Sequence, residues 1–297
     1  MNAYTCWARR AGFTIDAGDV AQFARAVAIG LGIAALLATV SCIPRYRKLT
    51  RTFRYREVSL AFLCVTLLAV FSQAALVLTY LCIALAPPTI EAGFVRLDAA
   101  LGFHWPDLYR WVRARVDLQA ALGLAYRSVF AQVLGIPFIL AALRRLDDLV
   151  EFVALFALSS LVVVAIATPF PAESAFVHFG IAGAGTASTV SHFDLLRSGQ
   201  LAHIHPLNAQ GLVSLPSFHK MMALYFAYAI RHVRVVLPVA VLANIAMILS
   251  TPTQGGHYLV DVIAGLVVGA LSIVAARRWL TGARRIPFRA LGVSRST

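Results

Sequence analysis

The chain has 297 residues, 60% of them hydrophobic and only 13% charged, with a mean hydropathy of +0.79. Such a composition excludes a soluble domain of this size and describes a polytopic membrane protein. A net charge of +13 raises the question of nucleic acid, which the placement of the basic residues answers below.

Seven apolar runs approach the roughly 20 residues that a membrane-crossing helix needs. In chain order they cover 26–43, 58–86, 118–143, 149–168, 215–230, 233–250 and 257–276, the fifth and sixth being the shortest. Arg9-Arg10 ahead of the first invites a signal-peptide reading, but that run is long and begins well downstream, so an uncleaved helix is expected. The runs are rich in Ala, Leu and Val at helical length, which satisfies backbone polar groups inside each segment and predicts helices, not barrel strands. The fold class is therefore all-α, a membrane bundle of six to seven transmembrane helices. The simplest partition is a tail over 1–19, one membrane domain over 20–280 with its chemistry in about 186–265, and a basic tail over 281–297.

The basic residues fall on alternate connections. Arg45, Arg47, Lys48, Arg51, Arg54 and Arg56 fill the first, Arg144 and Arg145 the third, and Arg231 and Arg234 the fifth; Arg277, Arg278, Arg284, Arg285, Arg289 and Arg295 follow the last run. The positive-inside rule puts these on the cytoplasmic face, so the charge reports topology and contact with membrane lipids, with no nucleic-acid partner. Segments 87–117, 169–213 and 251–256 are then outward. Within the first of these, 97–112 repeats apolar and aromatic residues at helical intervals among charges and reads as an amphipathic interfacial segment.

The long segment 169–213 holds His178, His192, His203 and His205. His203-Ile-His205 has a spacing that suits a metal, but no carboxylate or thiolate stands near it in the sequence, so a polar loop is expected. Cys6, Cys42, Cys64 and Cys82 form no metal-binding spacing, and the three that lie in or beside the runs read as inert filler. No metal and no cofactor is expected.

Two strings carry chemistry. Ser214-Leu-Pro-Ser-Phe-His219 and Ser250-Thr-Pro-Thr-Gln-Gly-Gly-His257-Tyr-Leu-Val-Asp261 each place an imidazole at the outer start of an apolar run. In the first, Pro216 suits the opening helical turn, and the unpaired N–H groups that follow form an anion-binding end. In the second, Gly255-Gly256 permits close backbone approach, and Asp261 lies four residues beyond His257 on the same helix face. A carboxylate at that offset can hold the imidazole Nδ1–H and leave Nε2 as a nucleophile. Two imidazoles, one of them so oriented, suit phosphoryl transfer: one attacks phosphorus and the other protonates the leaving oxygen. An Asp inside a span points to function by default.

These strings resemble the second and third signature motifs of the type 2 phosphatidic acid phosphatase family. The resemblance implies that His257 is the nucleophile that forms a phosphohistidine, Asp261 its orienting partner, His219 the general acid, and Ser217 and Ser250 phosphate ligands. The family's first motif is absent, the run Lys48 to Arg54 having the wrong spacing and side, and Thr251 stands where the family carries an Arg. These departures resemble the inositol phosphorylceramide synthase branch, which moves a phospho-head group between lipids. The substrate implied is a lipid phosphate or phospholipid.

With the usual cations missing, Lys220, Arg197 and Arg127 are the candidate phosphate partners; for Arg127, an interhelical polar cluster with Tyr126, Ser128 and Gln132 is an equal reading. The motifs leave hydrolase and transferase open. A transporter is the alternative of another class, and it lacks the internal duplication expected of one.

Overall fold

The computed structural model describes residues 12–181 and 187–285. Cys6, Arg9, Arg10, Arg289 and Arg295 lie outside the described residues. A first helix, α1 (Ala17–Cys42), is followed by α2 (Tyr55–Ile83), the short α3 (Glu91–Ala100) and α4 (Trp105–Arg113), α5 (Val116–Ala142), α6 (Leu146–Ala167) and α7 (Ala187–Arg197). Then come α8 (Phe218–Ala229), α9 (Leu237–Gly255) and α10 (Leu259–Arg285). A single parallel bridge pairs β1 (Thr14–Ile15) with β2 (His203–Ile204).

Among the described residues six helices, α1, α2, α5, α6, α9 and the part of α10 over Leu259–Trp279, are long and apolar enough to cross a membrane. The all-helical bundle expected from the sequence is observed. The fifth apolar run behaves differently. Only Phe218–Ala229 is helical, and twelve residues at about 1.5 Å each fall short of a bilayer's hydrocarbon core of about 30 Å. This helix instead packs at the centre of the bundle, where Met221, Met222, Tyr225 and Phe226 are fully buried beside residues of α2, α5, α6 and α9. Residues 209–217 approach it without helical structure, an arrangement tolerated where backbone lines a cavity or is enclosed by protein.

The sixth run extends further than expected, because α9 continues through Pro252 to Gly255. A proline there deprives the Ile248 carbonyl of its usual amide donor. The Thr251 hydroxyl donates to that carbonyl at 2.7 Å and fills the gap.

One end of the bundle gathers the basic connections. Arg144 pairs with Glu57 at 2.9 Å, and Arg231 pairs with Asp148 and Glu151 at 2.7 and 3.0 Å. The opposite end carries α3, α4, α7 and the β1–β2 bridge. The predicted interfacial segment is present there as α3 and α4, separated by Gly102 in the left-handed region.

Candidate active site

Ser217 occupies the N-cap position of α8, yet its side chain makes no capping bond. Its Oγ stands 3.2 Å from His257 Nε2 instead. Pro216 precedes the helix, joined to Leu215 by a cis peptide bond, and so does not form the helical turn expected of it. His219 follows on the first turn, its ring stacked on Tyr126 at 4.5 Å between centroids.

Gly255 and Gly256 shape the approach to the second imidazole. Gly256 ends α9 with φ +64°, and a Cβ there would meet the Phe176 ring at 2.5 Å. One at Gly255 would come within 2.9 Å of His257 and 3.0 Å of the Tyr126 hydroxyl. His257 then stands just ahead of α10, with Nδ1 3.3 Å from Asp261 Oδ2, the oxygen that also accepts the Tyr258 N–H at 3.0 Å. Because that oxygen can only accept while ionised, the proton belongs on Nδ1 and the lone pair on Nε2, which faces the Ser217 hydroxyl.

The two strings meet because α8 and α10 come unusually close. A Cβ at Gly265 would lie 2.6 Å from the Ser217 carbonyl, and one at Gly269 3.1 Å from Met221 Cα. Gly265-Leu-Val-Val-Gly269 is a small-residue seam of the kind that lets membrane helices touch backbone to backbone. That signal was readable in the sequence.

His219 and His257 both line one cavity of about 450 Å³, with Leu76, Phe130, Phe156, Val163 and Phe193 among its apolar walls. Lys220 is fully buried in α8, and its Nζ has no hydrogen-bond partner among the described residues; Asp261 Oδ1 has none either.

A sequence model of the PAP2 superfamily matches residues 92–275, more than half of the chain, including both histidine strings and Asp98. The chain belongs to the PAP2 superfamily. Neither curated proteins nor solved structures give a match. The superfamily match begins in α3, so α3 and α4 are part of it while α1 and α2 stand outside.

The remaining sequence candidates of this superfamily member lie around the cavity and not on its wall. Ser250 is fully buried, its hydroxyl donating to the Met247 carbonyl at 2.7 Å. Arg127 places its guanidinium beside Gly123, next to Gln254. Arg197 lies over the Phe193 ring at 5.4 Å, with Nη1 buried and without a hydrogen-bond partner among the described residues.

Two residues that build the site escaped the sequence reading. Asp98 of α3 is buried and accepts the N–H groups of Leu259 and Val260 at 2.9 and 3.0 Å, capping α10 from a distant segment. Burial raises its carboxyl above the ordinary carboxylate range, and the two amides pull it back. Trp105 of α4 donates its Nε1–H to the Pro252 carbonyl at 3.0 Å. Neither has a local sequence signal, since both act across more than a hundred residues.

Proposed function

We propose that the protein transfers a phosphate or phospho-head group on a lipid through a phosphohistidine at His257, at the outer face of the membrane. The observation that carries this reading is the chain Asp261–His257–Ser217, in which one imidazole nitrogen faces a carboxylate and the other faces the Ser217 hydroxyl at the start of α8. In the first step His257 Nε2 attacks phosphorus, the bond from phosphorus to the leaving oxygen breaks, and protonated His219 gives that oxygen its proton. In the second, neutral His219 takes a proton from an acceptor hydroxyl, whose oxygen attacks phosphorus and releases His257.

Lys220 supplies the positive charge that phosphate requires. A buried ammonium is costly unless an anion joins it, and Nζ is without a hydrogen-bond partner among the described residues. Ser217 is a phosphate ligand beside it, and Ser250, Arg127 and Arg197 act from the periphery. A lipid is favoured because the cavity's apolar wall runs out to Phe130, which is 67% exposed on the flank of the bundle. The outer face is favoured because the site lies at the end opposite the paired basic connections.

Transfer to a lipid or polyol hydroxyl, as in the inositol phosphorylceramide synthase branch, is preferred over hydrolysis. Thr251 stands where a phosphate-binding Arg belongs in the phosphatases, and its hydroxyl is committed to Ile248. The test supplies purified protein with headgroup-labelled phospholipid, with and without ceramide or inositol as acceptor. A new phospholipid formed only with acceptor is expected. Release of phosphate or a phosphorylated head group to water irrespective of acceptor identifies a hydrolase, and full turnover by His257→Ala or His219→Ala would overturn the mechanism.

A further inference from the structure

The sequence places no carboxylate near His203-Ile-His205, but the fold does. Asp16, His203 and His205 bring three potential ligand atoms within 4.8 Å of one another. Asp16 stands at the start of α1 and the histidines on and just after β2. The β1–β2 bridge sets Thr14 opposite His203, and the Asp16 N–H donates to the Ile204 carbonyl at 2.9 Å, so backbone bonds hold the two segments in register.

The atoms turned away from the meeting point already have partners. His203 Nδ1 lies 2.7 Å from Thr14 Oγ1, which leaves Nε2 to face Asp16. Asp16 Oδ1 accepts the Asp19 N–H at 2.7 Å, which leaves Oδ2. Asp19 Oδ2 accepts the Leu207 N–H at 3.2 Å and stands 3.8 Å from His205 Nδ1. Such outer contacts orient ligands around metals. The facing pair, His203 Nε2 and Asp16 Oδ2, is 3.5 Å apart, beyond the usual hydrogen-bond range of about 2.7–3.2 Å. Two ligands on a tetrahedral zinc, with bonds of about 2.0–2.2 Å, stand about 3.4 Å from each other. Side-chain exposures of 49% for each histidine and 30% for Asp16 leave an entry path and room for water in the remaining positions.

We propose that Asp16, His203 and His205 bind a divalent cation of borderline softness, Zn²⁺ first, outside the catalytic cavity. Two imidazoles and a carboxylate are the donor set such ions prefer. The ion would clip the start of α1 to the loop that continues through Gln210, Gly211 and Ser214 into the cavity wall. It takes no part in the phosphoryl chemistry, so the site stands or falls independently of the reading above.

The test titrates ZnCl₂ into tag-free, chelator-washed protein in detergent, read by calorimetry and by melting temperature. Binding of about one equivalent at micromolar affinity or tighter, with a rise in melting temperature, is expected. The H203A/H205A double variant and D16N should each weaken it at least about tenfold. H104A removes an exposed histidine paired with Asp107 elsewhere and should leave binding unchanged. Absence of saturable stoichiometric binding, or binding that persists undiminished in H203A/H205A, would overturn the proposal.

Discussion

At the basic end of the bundle, Arg231 donates to Asp148, Glu151 and the Tyr228 carbonyl and lies 3.8 Å over the Tyr228 ring. At the other end, Lys220 is more deeply buried, yet its Nζ has no hydrogen-bond partner among the described residues, and Asp261 keeps one oxygen unpartnered. The first cation is paired with two carboxylates of α6 and ties that helix to the residues just after α8. The second is a buried amine to which no described residue supplies a hydrogen bond. Among the described residues, buried polar groups thus separate into a paired cluster and an unpaired one; on the function proposed above, substitutions at the two ends should separate activity from stability.

The largest effect is expected from Asp261→Asn. An amide can turn its N–H₂ toward His257 and favour the wrong tautomer, so turnover should fall about 10³–10⁴-fold in steady-state assays. Lys220→Met comes next, with turnover reduced about 10²–10³-fold and a melting temperature equal to or above that of the parent, since an unpartnered buried charge is replaced by an apolar side chain of similar length. A melting temperature that drops with activity would mean that Lys220 is structural and would erase the contrast between the ends.

Asp98→Ala lies between the two classes. It removes the acceptor of two partly buried amides of α10 and should cost about 1–3 kcal/mol in denaturant unfolding, with turnover falling about tenfold as His257 loses its fixed position. Arg231→Ala should leave turnover per folded molecule unchanged while lowering stability by about 2 kcal/mol.

Much of the site was legible because it is local. His257 and Asp261 are four residues apart, the first two residues ahead of α10 and the second in its opening turn, so the short chain entering the helix brings their side chains to 3.3 Å. The hydropathy runs likewise located six long helices. What escaped the sequence depends on distant contacts. Asp98 and Trp105 reach α10 and α9 from helices more than a hundred residues upstream, and Asp16 reaches His203 from the other end of the chain. The run over 215–230 misled for a different reason: hydropathy reports where a segment is buried, not whether its first residues are helical. The extension of α9 past Pro252 depended on a hydroxyl replacing an amide, a substitution visible only once Thr251 and Ile248 are seen together.

The central claim is a covalent phosphate on His257, and rapid quenching of the enzyme with ³²P-labelled lipid substrate tests it most directly. Acid-labile, base-stable label should appear on a peptide containing His257 and be absent from His257→Ala. Product formation by the unmodified protein with no label on histidine at any time, or label retained in His257→Ala, would contradict it.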